Sequence, residues 1–430
     1  MPGQTTIGAD SILKDVYEGG IRELIPTKTV ALSIFEDGDN SAWSGREIVF
    51  PSRVGRNQGV GSATEGGNLP TAGSQKYAQT RIPCRYLYGR ITFTAQAMAV
   101  SESSRGAFAP VMRQEMDGLI KDLQNERGRQ IYGDGRGILA LVNGASAGTT
   151  VTVDSPGNFA GATNGARFIN PGEIVAFVNP ATGALRASSV RTVQAIASDG
   201  TTMTIDTALS VTDNDYIVRA QTTGITDVSD TSYAKEVMGL AGSVDDGTNV
   251  PTYHNVSRTA YPIAASTVIT GVGAWSQEIV MRGLDVADQR GGGQATDLFV
   301  HHSLRRAYIS STDPDRRYMA GDLMRPDEGT AAAKQATLTF GGIPMHTDKY
   351  CPYNTMFGID RSGCTRYTLK TGEWANEDGA ILCRIGTGST ATDAFEAFYR
   401  IWDNFHFDYP NRSFRLDGFT GTTIVIAHVD

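Results

Sequence analysis

The chain has 430 residues and a formal net charge of −8, with 38 Lys and Arg against 46 Asp and Glu. Its length predicts two or three domains, or one body with large insertions, and 40% hydrophobic residues suffice for sizeable cores. No apolar run reaches the ~18 residues that cross a bilayer, which excludes a membrane-spanning protein. The sequence has no basic arm or stripe, which argues against tight binding of nucleic acid by counterion release.

The cysteine and glycine contents narrow the class of protein further. Four cysteines, none spaced as C-x-x-C, are too few for a disulfide scaffold and form no zinc motif. The N-terminus has no basic segment followed by an apolar one, so we expect no signal peptide, a reducing cytoplasm and buried thiols. Glycine makes up 49 of 430 residues, about 11% against a usual ~7%, which predicts many turns and long backbone excursions.

The first hundred residues predict a helix and two strand regions. Apolar residues at helical spacing over 10–24, ended by Pro26, predict a short amphipathic helix. Residues 47–51 and 76–97 have the β-branched and aromatic composition of strands. The alternating positions of the second region are Tyr86, Tyr88, Ile91, Phe93 and Ala95, with one slip near Gly89.

A long loop separates these two strand regions. Residues 55–75 contain six glycines and show no strong period. A structureless loop of about 20 residues is rare inside a compact domain. Two interpretations stay open from the residues alone: a flexible surface loop, or an arm that lies on a neighbouring molecule.

The strongest helical pattern covers residues 104–132. From Pro110 to Tyr132 such a helix is roughly 34 Å long, at ~1.5 Å per residue. Its apolar stripe is narrow, so we expect one face to lie on a sheet and a charged face to meet something else. The charged residues, mostly off the apolar face, are Arg113, Glu115, Asp122, Glu126 and Arg129.

Residues 147–222 change to short β-rich runs separated by turn signals such as Asn170-Pro171-Gly172. This spacing predicts an inserted small β-barrel or sandwich whose ends lie close together. After it, mixed α/β patterns return. Helices are predicted over 233–241 and 275–289, and strands over 298–301, 338–345 and 355–359. Residues 394–409 predict a long aromatic strand pair closed by Pro410.

Motifs that carry chemistry are mostly missing. The chain has no Gly-Lys pair for a phosphate-binding loop and no H-E-x-x-H zinc motif. His301 and His302 are adjacent, and on a strand they would point to opposite faces and not share a metal. Residues 144–148 match the nucleophile-elbow pattern G-x-S-x-G, but a β pattern follows where a helix is required, so we interpret them as a turn. Residues 37–40 and 213–215 resemble calcium loops that lack the closing Glu. No catalytic, cofactor-binding or metal-binding residue is predicted, and the residues alone do not exclude an enzyme.

The order of these elements resembles the major capsid proteins of tailed double-stranded-DNA bacteriophages, which have the Hong Kong 97-type fold. The elements that carry the likeness are the helical arm, the glycine-rich loop between two strands, the long charged helix, and the late long strands. The segments Phe340-Gly341-Gly342-Ile343-Pro344 and 354–360 also fit. The likeness covers nearly the whole chain except 147–222, and it implies an α+β fold with an inserted all-β domain.

The resemblance implies a domain for each part of the chain. It assigns 1–45 to an N-terminal arm and 46–97 to an extended loop. A peripheral domain would comprise 98–146 and 379–411, with the spine helix at 104–132. The insertion is 147–222, and an axial domain would comprise 223–378 and 412–430.

The resemblance also implies a function and partners. Copies of the chain would form pentamers and hexamers of an icosahedral shell that encloses double-stranded DNA without specific binding. Assembly would occur in the host bacterial cytoplasm, giving a virion protein with no cofactor and no membrane. Because the chain starts at the arm, we expect a separate scaffolding protein, or cleavage that has been engineered away, together with a portal; the presence of a decoration protein stays open. Two alternatives stay open: an encapsulin-like compartment for cargo, and a hydrolase or carbohydrate-binding protein.

On this interpretation the loop at 55–75 lies on the spine helix of a neighbouring subunit and forms ion pairs there. Each exposed pair contributes only ~0–1 kcal/mol, but many repeated contacts make a closed shell strong. The candidate intersubunit residues are Arg53, Arg56, Glu65, Lys76 and Arg81 on the loop side, and Arg113, Glu115, Asp117, Asp122 and Glu126 on the helix side.

Overall fold

The computed structural model describes residues 31–37, 47–96, 111–186, 190–318, 338–376, 381–385 and 392–421. The described residues fall into two compact units. The smaller unit draws on Tyr88–Gln124 and Gly372–Arg400, and the larger on Lys28–Leu87, Asn125–Thr371 and Ile401–Asp430. The predicted helix at 10–24 and residues 104–110 of the long helix lie outside the described residues.

The fold is mixed α+β, as predicted. The helices are α1 (Val111–Ile131), α2 (Leu240–Ser243), α3 (Gln277–Gly291) and α4 (His302–Tyr318). The strands are β1 (Glu36–Asp37), β2 (Glu47–Gly55), β3 (Lys76–Pro83), β4 (Arg85–Thr94), β5 (Ile138–Val142), β6 (Thr150–Asp154), β7 (Ile174–Val178), β8 (Arg191–Ile196), β9 (Thr202–Ile205), β10 (Tyr216–Arg219), β11 (Thr252–Tyr253), β12 (Val256–Ser257), β13 (Thr267–Ile269), β14 (Asp297–Val300), β15 (Leu338–Phe340), β16 (Ile343–Thr347), β17 (Thr355–Ile359), β18 (Cys364–Trp374), β19 (Cys383–Arg384), β20 (Ala394–Phe407) and β21 (Phe414–Asp417). In the described part of the chain, no helix is long and apolar enough to cross a membrane.

Within the larger unit, six antiparallel strands close into a barrel in the order β10-β5-β6-β9-β8-β7. Alternate side chains of its strands fill its interior. In β6, Val151 and Val153 are fully buried, while Thr150 and Thr152 are exposed. Strand β5 joins the barrel although it precedes the predicted insertion at 147. Both faces of β5 are covered, so its sequence Ile-Leu-Ala-Leu-Val does not alternate between apolar and polar residues. The sequence therefore did not indicate that β5 belongs to the barrel.

A second sheet of the larger unit has six strands in the order β13-β21-β17-β14-β16-β15. Helix α3 packs against it so closely that a Cβ on Gly283 would lie 2.8 Å from the ring of Phe414. Ser276 begins α3 by accepting a hydrogen bond from the Ile279 amide at 3.3 Å, and Gly292 ends it with φ 61°. The helix predicted over 275–289 is therefore confirmed to within two residues.

In the smaller unit, strand β4 packs against helix α1. Its alternation has no slip: Gly89 lies on the inner face, where a Cβ would come within 2.8 Å of Leu119 and Leu123. The predicted slip near Gly89 is wrong, because the two exposed tyrosines, Tyr86 and Tyr88, occupy the outer face. Glycine there leaves room for the side chains of Leu119 and Leu123.

Three other predictions need correction. Residues 394–407 form one 14-residue strand, β20, and not a strand pair. Within the predicted helix at 233–241, only Leu240 and Ala241 are helical, as the first residues of α2, and the backbone at Gly239 lies directly against the end of α1. His301 follows β14, and His302 begins α4, a helix that was not predicted. The two histidines therefore do not alternate across a strand.

Candidate assembly surface

Strands β2 and β3 form a two-stranded antiparallel sheet to which no other described strand is paired. Their register places Ile48 opposite Ile82 and Arg53 opposite Tyr77. The buried positions, Ile48, Thr80 and Ile82, all lie at the base of the hairpin, near the ends that continue into the rest of the unit. A two-stranded hairpin is marginally stable alone, so its outer part lacks the support that a third strand would give.

The loop between β2 and β3 is a narrow ribbon and not an open coil. Its two limbs meet where a Cβ on Gly59 would lie 3.2 Å from the carbonyl of Thr71, and one on Gly61 would lie 3.2 Å from the ring of Pro70. At the tip, the Gly67 amide donates to the Thr64 carbonyl at 2.9 Å, and the intervening Gly66 has φ 71°. The sequence analysis associated these glycines with a long backbone excursion. In the structure they allow the two limbs of the loop to approach closely and the tip to turn tightly.

Large apolar side chains on this ribbon face solvent. Val60 is 70% exposed and Leu69 is 85% exposed, the two highest values among the large apolar residues of the described chain. Tyr77, on β3, is 63% exposed. Several large apolar groups on one hairpin are typical of a surface that another molecule covers.

The base of the hairpin is held by the tight turn between β11 and β12. The backbone carbonyl of His254 accepts a hydrogen bond from the Arg81 amide at 2.9 Å. The side-chain amide of Asn255 donates to the Gln79 carbonyl at 3.1 Å. On the other strand, the ring of Phe50 lies edge-on to His406 with centroids 5.4 Å apart. We call these contacts the hairpin anchor; the sequence analysis did not identify them.

The loop-side candidates for intersubunit contact lie on the exposed hairpin. Arg53, Arg56, Glu65, Lys76 and Arg81 are all exposed. Of these, Arg81 donates to the side chain of Gln79 at 2.9 Å within the same strand. The hairpin from Glu47 to Pro83 carries four cations and two carboxylates, so its charge complements an acidic partner.

The helix-side candidates divide into two groups. Glu115, Asp117 and Asp122 are exposed on α1, while the side chain of Arg113 lies outside the described residues. Glu126 differs from the expectation of an outward-facing charge, because it pairs within the chain with Arg129 at 2.6 Å and with Arg219 at 3.1 Å. Burial opposes its ionisation, yet these two guanidiniums hold the pKa of Glu126 below its usual value.

Glu126 belongs to a buried ion cluster that the sequence did not predict. Arg129 of α1 also pairs with Glu236, and Arg219 of β10 also pairs with Glu173 at 2.9 Å. Arg219 thereby ties a barrel strand to the end of α1. Arg127, the next residue of α1 after Glu126, pairs with Asp403 at 2.6 Å, and both side chains are almost fully buried.

Asp403 also accepts from Arg366 at 2.9 Å. The charged residues at the C-terminal end of α1 thus form ion pairs within the larger unit. The exposed acidic residues of α1 lie in its earlier turns.

Reactive groups are few in the described part of the chain. There, no cluster of three or more His, Cys, Asp or Glu is placed to hold a metal ion. Burial raises the pKa of the Cys84 thiol to about 11 and that of Cys351 well above its ordinary value, which makes both poor nucleophiles. Ser146, in the elbow-like sequence, donates to the Thr150 carbonyl at 2.9 Å in the connection between β5 and β6, as expected for a turn.

Comparison with known proteins points to one class of fold. No protein-family model matches the chain, and no curated protein matches its sequence. Among solved structures, the cyanophage A-1(L) capsid asymmetric unit matches with a TM-score of 0.53 at 11% identity, covering 95% of this chain and 98% of that chain. The capsid of an empty GTA particle matches with a TM-score of 0.50 at 9% identity, covering 97% and 99%.

An encapsulin, the holo-SrpI complex from Synechococcus elongatus PCC 7942, matches with a TM-score of 0.42 at 8% identity, covering 97% and 96%. The two capsid matches cover 95–99% of both chains compared. They agree with the α+β architecture described above and with the resemblance drawn from the order of the elements. The chain therefore has the fold of phage capsid proteins.

Proposed function

We propose that this chain is the major capsid protein of a tailed bacteriophage, the structural subunit of an icosahedral shell that encloses double-stranded DNA. The observation that carries the proposal is the exposed hairpin β2–β3 on a capsid fold. Its base is anchored in its own subunit, while its ribbon exposes Val60 and Leu69 and has no described sheet partner. A second copy of the chain is the partner that a repeating shell supplies.

Symmetry makes such a contact effective. One loop per subunit, received by the next subunit around a rotation axis, gives a closed ring of identical contacts. Each subunit is then held by several neighbours at once, so modest individual contacts combine into a stable shell. The exposed acids Glu115 and Asp122 lie seven residues apart on one face of α1 and form the surface on which we place the cationic hairpin of a neighbour. Asp117 is exposed on another face of the helix.

The finer assignments belong to the same proposal. They are the domain boundaries given above, pentamers and hexamers, assembly in the bacterial cytoplasm, and a separate scaffolding protein, portal and decoration protein. The role is structural and not enzymatic. Of the aromatic residues that a glycan-binding barrel would need, Phe159, Phe168 and Phe177 are buried, which disfavours the carbohydrate alternative.

Particle formation tests the proposal. We expect the purified chain, with a scaffolding protein where one is needed, to form hollow particles or rings of five and six in negative-stain electron microscopy. Deleting Val60 to Ala72 should abolish assembly and leave the subunit folded, as judged by circular dichroism. A stable monomer that catalyses a measurable reaction would refute the shell function. Particles that hold a protein cargo and no DNA would favour the encapsulin alternative.

A further inference from the structure

The hairpin anchor contains two buried imidazoles in contact with each other. The side chains of His254 and His406 are nearly fully buried, with ring centroids 5.2 Å apart. His254 is at the tip of the β11–β12 turn, and its carbonyl binds β3. His406 is in β20, and its ring contacts Phe50 of β2. The pair therefore touches both strands of the hairpin at its base.

The surroundings of His254 disfavour a positive charge on its ring. The Nε2 atom of His254 lies 3.0 Å from the Phe405 carbonyl. Its neighbour His406 has a buried Nδ1 atom without a hydrogen-bond partner among the described residues, and the ring of Tyr253 stacks on His406 at 5.6 Å. A charged imidazole at His254 loses its hydration and keeps only the contact with the Phe405 carbonyl in return.

The charged groups around the pair come from several elements. Arg85 of β4 and Arg258, which follows β12, add positive potential near His254. Asp408, just after β20, lies 3.4 Å from Nε2 of His406, but its carboxylate is 45% exposed. An open groove of about 420 Å³ beside the anchor is also lined by Glu47 and Arg81. Water can therefore reach the imidazoles once the anchor opens.

We propose that His254, buried in contact with His406, makes the hairpin anchor acid-sensitive, so that proton uptake by His254 releases the base of β2–β3 from the β11–β12 turn. His254 and Asn255 form the two-residue turn of the β11–β12 hairpin, with φ 44° and φ 72°, both in the left-handed region. The inference concerns the anchor inside one subunit, and it holds whether or not the chain builds a shell.

The direction of the pH effect follows from burial. Burial, followed by the neighbouring His406, lowers the pKa of His254 well below its ordinary value in the closed anchor. Opening exposes the ring and returns its pKa to ~6.5, so the open state binds a proton that the closed state does not. The open population should then rise about tenfold for each pH unit below ~6.5, and it should be independent of pH above that value.

Hydrogen exchange on the purified full chain tests the proposal. Protection factors of the β2 and β3 amides, corrected for intrinsic exchange, should fall about tenfold per pH unit between roughly pH 6.5 and 5. The amides of β14 and β17 in the second sheet should keep their protection. His254→Asn, which suits the left-handed conformation, should flatten this response. His302→Asn, at an exposed histidine on α4, is the matched control.

Three results would overturn the proposal. The first is hairpin protection that stays constant from pH 7.5 to 5 or is absent at pH 7.5. The second is an equal pH slope in His254→Asn and the unaltered chain, since other groups would then titrate. The third is simultaneous loss of protection in β14 and β17, which would indicate global unfolding.

Discussion

Replacing Val60 and Leu69 together by serine tests whether the apolar side of the loop ribbon is covered by a neighbouring subunit. Both side chains are mostly exposed in the subunit, at 70% and 85%. Covering a large apolar side chain fully contributes about 1.5–3 kcal/mol, so the exposed portions of this pair are worth roughly 3 kcal/mol per contact. At ~1.4 kcal/mol per tenfold change, the double substitution should weaken each loop contact by about two orders of magnitude.

The effect is measured as the protein concentration at which particles form. Light scattering and negative-stain microscopy on a dilution series should show that the Val60→Ser/Leu69→Ser chain assembles only at much higher concentration, or not at all. Its thermal unfolding as a subunit should match the unaltered chain, because neither side chain is buried there. Ser62→Ala and Ser74→Ala, at exposed positions of the same ribbon, should assemble normally.

Two results would refute the reasoning. An unchanged assembly concentration would mean that the apolar side of the ribbon stays in solvent in the particle. A lowered unfolding temperature of the double variant would mean that the ribbon packs against its own subunit.

Three further predictions concern charge and packing. Reversing Arg53 to Glu should weaken assembly by up to about 1 kcal/mol per contact, and adding Glu115→Arg should restore part of it at low salt; equal assembly at all salt concentrations would exclude this ion pairing. Gly89→Ala should lower the free energy of unfolding by about 1–3 kcal/mol in urea titrations, because its Cβ would overlap helix α1, whereas Gly118→Ala, with open space around it, should raise it by roughly 0.5–1 kcal/mol. Asp403→Asn should destabilise the subunit by about 3–5 kcal/mol, since it leaves two arginines without their buried carboxylate; a change below about 1 kcal/mol would show that water reaches them.

The position of the loop and of the long helix could be predicted from the sequence. The glycines at 55–75 and the helical period through Leu119 and Leu123 are signals carried by neighbouring residues. The barrel was also predictable, except for β5, because its strands alternate and end at turn residues. Helix α4 was not predicted. The alternation around Gly89 was misjudged because glycine has no side chain whose polarity could indicate which face of the strand it occupies.

The candidate contact surface was only partly predictable. The exposed cations of the hairpin lie where the sequence indicated, but Glu126 is engaged in the buried cluster with Arg129 and Arg219. The hairpin anchor had no sequence signal, because His254 and His406 are brought together from distant parts of the chain.

The sequence by itself determined the order of elements, the turns and the glycine-rich excursion, because periodicity and turn chemistry act over a few residues. Tertiary structure alone decided which charges are buried and which face outward. Arg127 and Asp403 are 276 residues apart, and only the folded chain excludes water from both. Whether a charge is a surface contact or an internal pair depends on that exclusion, and no local pattern records it.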